Sequence, residues 1–307
     1  MRLVYFGSGE FGLPTLNRLT ELHEVTLVVT QPDRPAGRHR RLTPTPVASF
    51  ALSRNLSAIK PANVNDPTVI AQIRQANAEA FVVIAFGQKL SQQLIGETFA
   101  INLHASLLPK YRGAAPINWA MINGERETGV TVIALADRMD AGEIYGAAAT
   151  AIDARETAGE LHDRLALLGP GVVEDVLRRR ANGALIAQPQ DERLVSRAPK
   201  LAKADGTLRF DQPAARVSAR IHGLTPWPGC TVKLDGRDLR LHRAEVVDEQ
   251  GGGRGLPGEV LIDYTIACAP GAIRLLDVQP PGRDVMSFQA YRNGHAVGVG
   301  SRMESVA

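Results

Sequence analysis

In the segment INLHA, Asn102 and His104 stand two residues apart. In an extended chain that spacing puts both side chains on one face of a strand, where both can reach the same atom. The amide can donate two hydrogen bonds, and the imidazole can donate one or carry a charge. Together they could hold a developing oxyanion. A carboxylate is supplied by Asp140, in the loop ADRMDAGE that follows the apolar run TVIAL. A neighbouring Asp raises a histidine pKa and fixes its tautomer, which suits an imidazolium that stabilises negative charge. The chemistry such a set would perform is acyl transfer. An isolated Asn-x-His on a strand more often makes a structural pair, so the surrounding chain must carry the case.

The first half of the chain alternates short apolar runs with helical patterns. LVYF (Leu3 to Phe6), VTLVV, FVVIAF and INLHA read as strands, and PTLNRLTEL, PVASFALSRN and PTVIAQIRQAN as helices. This alternation predicts a doubly wound, mostly parallel, Rossmann-like sheet covered by helices on both faces. In such a sheet, ligands bind beyond the carboxyl ends of the strands, where INLHA delivers its two polar residues. GVTVIAL (Gly129 to Leu135) adds a further strand and Glu143 to Ala147 one more. Thr157 and Glu160 are spaced as a capping box that opens a helix, Gly169-Pro170 breaks it, and Gly183 closes the segment that follows.

From Ala187 to about Asp205 the periodicity disappears and the composition turns polar and charged, as in a linker. Beyond it, TVKLDGRDLRLHRAEVV, GEVLIDYTIACAP and AIRLLDVQP are strand-like runs separated by Asp-Gly, Gly-Gly and Pro-Gly turns. They predict a small β-barrel, OB-like, with GGGRG (Gly251 to Gly255) as a hairpin tip. The expected organisation is a catalytic domain over 1–187, a linker over 188–205 and the barrel over 206–307.

Residues 7 to 12 read GSGEFG, the G-x-G-x-x-G pattern that cradles a dinucleotide pyrophosphate, between a strand and a helix with Pro14 in its first turn. The acidic residue that would hold a ribose at the end of the second strand is poorly matched, because EVTLVVT runs into Gln31 and Pro32 and Asp33 follows only in a Pro-rich loop. Glu10 would also repel a pyrophosphate. Gly7 is therefore read as a tight turn, and the loop is expected to line the acceptor's end of a site and not a dinucleotide.

Lys and Arg number 35 against 32 Asp and Glu, so no global field points to nucleic acid and any basic surface must be local. The longest nearly uniform apolar run, AFVVIAF (Ala80 to Phe86), is far short of the ~20 residues a membrane helix needs, so no span is expected. The N-terminus MRLVYFG enters a strand without a basic stretch followed by an apolar one, so no export signal is expected. Cys230 and Cys268 are isolated, and no His/Cys/Asp cluster has metal spacing. The expectation is a cytoplasmic, metal-free protein, and a monomer.

The residues that continue from INLHA are far more specific. NLHASLLPKYRGAAPINW (residues 102 to 119) is followed by T-G-V-T (Thr128 to Thr131) and by D-x-G (Asp140, Gly142). Asn102, His104, Ser106 to Pro109, Arg112 and Gly113 spell N-x-H-x-S-L-L-P-x-x-R-G. This string resembles the signature of the enzymes that use 10-formyltetrahydrofolate to formylate amines. The resemblance implies formyl transfer with the folate as co-substrate. Asn102 and a protonated His104 are then assigned to the oxyanion, and Asp140 to keeping His104 charged and moving protons through water. It further implies that Ser106, Leu107, Leu108 and Pro109 position the folate. Phe86, Gly87, Gln88 and Leu90 of the FGQKL segment, with the loop ending at Asp140, are expected to complete the pterin pocket.

The same signature serves an initiator tRNA, a nucleotide-linked amino sugar and a purine precursor as acceptors. QPDRPAGRHRRLTPTPV (Gln31 to Val47) resembles the insertion carried by members that act on methionyl initiator tRNA, and the module with LTPWPG (Leu224 to Gly229) resembles their C-terminal barrel. Arg34, Arg38, Arg40 and Arg41 oppose one carboxylate, Asp33, while Pro32, Pro35, Pro44 and Pro46 are expected to keep the segment out of helix and sheet. Such a loop can reach into an RNA groove or around phosphates. The family's contact between the P-A-G-R arginine and the tRNA end carries over to Arg38. Lys200 and Lys203 in the linker are further candidates, as are Arg237, Arg240 and Arg243 on the barrel. The amino-sugar acceptor, or a non-catalytic RNA-binding or folate-binding relative, is the alternative.

Overall fold

The computed structural model describes residues 1–37, 40–249 and 255–306. The chain divides into two compact units, each assembled from three stretches. Unit 1 comprises Met1–Arg112, Gly129–Ala149 and Asp163–Ser196, and unit 2 comprises Gly113–Thr128, Thr150–His162 and Arg197–Ala307.

Unit 1 is built on a seven-stranded sheet. Numbered along the chain, β1 (Arg2–Gly7) and β2 (Glu24–Val29) are followed by β3 (Arg34–Ala36) and β4 (Arg41–Thr43), which lie outside the sheet. Then come β5 (Ala58–Ile59), β6 (Ala80–Ile84), β7 (Phe99–His104), the two-residue β8 (Arg112–Gly113), β9 (Glu127–Ala134) and β10 (Ile144–Ala151). The order across the sheet is β10-β9-β7-β6-β1-β2-β5. Pairings β1 with β2, β1 with β6, β2 with β5 and β6 with β7 are parallel, while β9 runs antiparallel to β7. The expected mostly parallel sheet is present. The last strand, expected over 143–147, extends to Ala151. Its run of alanines left no alternation to mark its end.

Leu3 to Phe6 and Val82 to Ile84 are buried whichever face they occupy, the mark of central parallel strands covered on both sides. The covering helices of this unit include α1 (Leu13–Leu22), α2 (Pro46–Ser53), α3 (Pro67–Gln75), the single turn α4 (Gln92–Ile95) and, after α5 (Pro116–Ile122) and α6 (Ala158–Ala166), α7 (Gly169–Ala181). Their starts follow from local chemistry. Thr45 accepts from the Ala48 amide at 3.0 Å and Asp66 from the Thr68 amide at 2.9 Å, and a proline follows each cap, at a position that has no intrahelical bond to lose.

After β1 the chain moves outward through β2 to β5 and then returns to β6 on the other side of β1. In doubly wound sheets such a reversal is where ligands bind, which here is the region beyond the carboxyl ends of β1 and β6. Ser8 ties the segments there together, its hydroxyl donating to the Phe86 carbonyl at 3.1 Å and accepting from the Gln31 amide at 3.1 Å.

In unit 2, α5 (Pro116–Ile122) precedes the first part of α6 (Ala158–Ala166), whose start carries the expected capping box: the Thr157 amide donates to Glu160 Oε2 at 2.8 Å. After β11 (Arg197–Ala198) comes α8 (Ala214–Gly223), and then β12 (Cys230–Leu234), β13 (Arg237–Asp248), β14 (Ile266–Ala267), β15 (Ala272–Gln279), β16 (Met286–Ser287), α9 (Phe288–Gly294) and β17 (Met303–Ser305). The antiparallel sheet has the order β14-β15-β13-β12-β17, with β16 beside β15. Asp235 and Gly236, at φ 49° and 79°, make the tight turn between β12 and β13 that Asp-Gly predicts. Bridges from Glu259 to Arg302 and from Val260 to Ile266 connect the two edges, so the sheet curls around a core that includes Val217, Ile221, Val232, Leu241, Ile273 and Val278. The expected small barrel is thus a curled antiparallel sheet closed by the segment around Glu259. Residues 251–254 of the expected hairpin tip lie outside the described residues.

Candidate active site

Strand β7 places Asn102 opposite Val83 of β6 and Ile133 of β9, and His104 opposite Thr131 of β9. Leu103 between them is buried, so the alternation of the strand separates a core side chain from two polar ones at the crevice. His104 is 6 % exposed. Its Nε2 lies 2.9 Å from the Tyr111 carbonyl, and its Nδ1 3.7 Å from Asp140 Oδ2. A carbonyl oxygen only accepts, so Nε2 carries a proton and Nδ1 is the nitrogen directed to Asp140 and the site. Asn102 and His104 from one segment and Asp140 from another all stand at this end of the sheet.

Asp140 is held by its loop. Lys89 Nζ donates to the Asp137 carbonyl at 2.9 Å, and Gln92 Nε2 reaches Asp137 Oδ1 at 3.2 Å. Gly142 is required for a steric reason: a Cβ there would lie 1.9 Å from the Ala134 carbonyl oxygen. Asp140 at φ 54° and Tyr111 at φ 62° occupy the left-handed region, which non-glycine residues adopt when their surroundings impose it. Both supply His104 with its partners.

The segment expected to position the folate divides into two sets. Ser106 is fully buried, its hydroxyl donating to the Lys110 carbonyl at 2.6 Å, and Leu108 is 7 % exposed. Thr131 Oγ1 ties the turn by donating to the Ser106 carbonyl at 2.7 Å and accepting from the Leu108 amide at 3.2 Å. Leu107 and Pro109 remain half-buried. A similar division applies to FGQKL. Phe86 packs edge-on against Phe6 at 5.6 Å and Leu90 joins the same core. Gln88 bridges the 61–64 turn, accepting from the Val64 amide at 2.8 Å and donating to the Pro61 carbonyl at 3.1 Å. Gly87 is exposed, so this segment offers the crevice its backbone more than its side chains.

The glycines of GSGEFG answer to a neighbour. Tyr5 is fully buried, and its hydroxyl donates to the Gly12 carbonyl at 3.1 Å. A Cβ on Gly12 would lie 2.0 Å from that hydroxyl and one on Gly7 2.6 Å from the Tyr5 ring, whereas Gly9 has nothing nearer than 3.8 Å. Two of the three glycines make room for a tyrosine.

The arginine-rich insertion is a hairpin, which corrects the expectation that its prolines keep it out of sheet. Arg34 pairs with Thr43, Pro35 with Leu42 and Ala36 with Arg41. An isolated two-stranded ribbon has free edges on which a proline without an N–H is tolerated. Arg34 donates to Gln31 Oε1 at 3.2 Å, and Arg34, Arg40 and Arg41 are exposed. Asp33 instead pairs with Lys60 at 2.6 Å, leaving the arginines' charge unopposed by it. Arg38 lies outside the described residues.

In unit 2, Lys200 and Lys203 are exposed. Arg243 is engaged internally, pairing with Glu160 at 2.8 Å and Asp277 at 3.0 Å, and Arg240 donates to the carbonyls of Pro226 and Pro228 within LTPWPG. Arg237 remains exposed. Sequence reasoning overlooked Gln190, in the aperiodic stretch, whose amide bonds the Asp140 loop; an isolated Gln among polar residues gives no pattern to find. Among the described residues no group of three or more His, Cys, Asp or Glu side chains is set to hold a metal ion, and no helix is long and apolar enough to cross a membrane.

The fold agrees with what comparison with known proteins finds. The formyl transferase family matches residues 1–177 and the formyl transferase C-terminal domain residues 200–296. The chain belongs to the formyl transferase family. Methionyl-tRNA formyltransferase of Geobacter metallireducens is 40 % identical over 310 residues, covering 99 % of this chain and 98 % of that protein. Among solved structures, WlaRD, a sugar 3N-formyl transferase crystallised with dTDP and 5-N-formyl-THF, has a TM-score of 0.68 at 15 % identity, covering 92 % of this chain and 99 % of that one. HypX from Aquifex aeolicus, in complex with tetrahydrofolic acid, has a TM-score of 0.62 at 17 % identity. It covers 97 % of this chain, which spans about half the length of HypX, 48 % of it.

Proposed function

We propose that this protein transfers the formyl group of 10-formyltetrahydrofolate to the α-amine of methionine on initiator tRNA, for translation initiation. The observation that carries the reading is the 40 % identity, along nearly the full length, to a relative named for that reaction. The exposed arginine hairpin supports it over a nucleotide-linked amino sugar, since a small acceptor needs no such arm.

The amine attacks the formyl carbon, forming an N–C bond and an oxyanion. Asn102 and His104 Nδ1–H donate to that oxygen. Asp140 faces Nδ1 and takes the amine's proton through water. Collapse of the adduct breaks the bond to N10 of the folate, which leaves with a proton relayed from the same carboxylate. Nε2 takes no direct part, because the Tyr111 carbonyl occupies it. Leu107, Pro109 and the backbone around Gly87 contact the folate, with Ser106, Leu108, Phe86, Gln88 and Leu90 shaping the walls.

Arg38, with Arg34, Arg40 and Arg41, grips the tRNA end, and Lys200 and Lys203 bind its backbone. In this reading residues 1–187 carry catalysis, 188–205 connect, and 206–307 meet the tRNA, in a cytoplasmic monomer. The test supplies 10-formyltetrahydrofolate with methionyl initiator tRNA, elongator methionyl tRNA or a UDP-amino sugar. Formylation of the initiator alone is expected, and formylation of the sugar instead would overturn the assignment.

A further inference from the structure

Gln190 connects two parts of unit 1 that the sequence keeps far apart. Its Nε2 donates to the Asp140 carbonyl at 2.8 Å and to the Gly142 carbonyl at 2.7 Å. Its Oε1 accepts from Arg112 Nε at 3.0 Å and Nη2 at 2.8 Å. An arginine can only donate and a carbonyl can only accept, so the amide has one orientation that satisfies all four bonds. Arg112 is itself fixed, its side chain 10 % exposed and its Nη2 bonded to Glu192 Oε1 at 3.0 Å. Glu192 also pairs with Arg138 of the Asp140 loop at 3.0 Å. The left-handed backbone of Asp140 therefore has its own carbonyl and that of Gly142 pinned by a single side chain.

We propose that Gln190, oriented by Arg112, is a positioning residue that sets the Asp140 carboxylate against His104. The assignment rests on the reading of His104 and Asp140 as the pair that serves the reaction. Gln190 touches neither His104 nor the reacting atoms in this role; it acts through the loop.

Gln190→Glu keeps an acceptor for Arg112 and turns a carboxylate oxygen toward two carbonyls, displacing the loop. Its kcat for formylation is expected to fall by about 10- to 100-fold, as misplacement of a catalytic group by about 1 Å does, with KM for tRNA near wild type. Gln190→Ala, which removes the donors without adding charge, should show the same split between kcat and KM. In an Asp140→Ala background, followed in single turnovers, neither substitution should slow the reaction further by more than about twofold, because no carboxylate is left to place. A kcat within about twofold of wild type in both Gln190 variants, or losses that multiply fully on the Asp140→Ala background, would overturn the proposal. Near wild-type turnover by Asp140→Ala alone would instead overturn the underlying reading of the site.

Discussion

The Nδ1 of His104 stands 3.7 Å from Asp140 Oδ2, while Nε2 is bonded to the carbonyl of Tyr111 at 2.9 Å. The imidazole thus presents one nitrogen to chemistry and uses the other as an anchor. A spacing of 3.7 Å is longer than a direct hydrogen bond, leaving room for the pair to tighten when a substrate arrives. Replacing His104 or Asp140 with Ala should lower kcat by about 10²- to 10⁴-fold, the span expected of general acid–base and oxyanion groups. Circular dichroism and melting curves should stay near wild type. Turnover close to wild type in either variant would refute the assignment.

The hairpin arginines should act on the tRNA alone. Alanine at Arg34, Arg38, Arg40 and Arg41 should raise KM for methionyl initiator tRNA and flatten its dependence on salt, because fewer phosphate contacts release fewer counterions. Folate KM should not change. A shift in folate KM with unaltered tRNA kinetics would remove the hairpin from RNA recognition.

Substitutions in GSGEFG should separate a steric role from a ligand-binding one. Gly12→Ala places a carbon 2.0 Å from the Tyr5 hydroxyl and should cost about 1–3 kcal/mol of stability. Tyr5→Phe in the same chain should recover part of it, and Gly9→Ala should be neutral to within about 0.5 kcal/mol. Equal sensitivity at Gly9 and Gly12 in chemical denaturation would mean that Tyr5 is not the cause.

His222 makes unit 2 sensitive to acid. It is 4 % exposed, its Nε2 accepts from the Ala244 amide at 3.0 Å, and burial, with Arg243 nearby, depresses its pKa to about 4. The unfolded chain takes up this proton near pH 6.5 and the folded one only near 4, so the stabilisation is complete above about 6.5 and declines as pH falls. By pH 4 the loss should approach about 3 kcal/mol. His222→Gln should flatten the melting temperature between pH 7.5 and 5 relative to wild type, on the order of the slope this one group supplies. An unchanged slope would contradict the assignment.

Cys230 and Cys268 are buried, and burial pushes both thiols up to about 12. Neither should react with a thiol reagent at pH 8 within the time that denatured protein is fully labelled, since the thiolate is the nucleophile. Rapid labelling of the native protein would show that the core around them opens.

Much of the site could be read from residue order because its informative features are local. Asn102 and His104 share a face by strand periodicity, and Asp140 lies in the turn after the next strand. What escaped depends on contacts between distant segments. That Ser106 and Leu108 turn inward follows from Thr131, which bonds both. The sequence reads Gly7 as a tight turn and not as part of a dinucleotide site, but nothing in GSGEFG names Tyr5 as the side chain that fills the space beside Gly7 and Gly12. The hairpin at Arg34 to Thr43 was hidden because proline content argues against sheet in general, yet a free ribbon edge tolerates it.

The three-stretch assembly of unit 1 has a practical bearing on how the protein can be divided. A fragment ending at residue 187 would lose Gln190, Glu192 and Ser196, and with them the bonds to Arg112, to the Asp140 loop and to the amide of Tyr111. It would retain every member of the sequence signature and still lack what aligns them. Fragment expression or gene fusion that treats the signature as a self-sufficient cassette would therefore preserve the motif and discard its calibration.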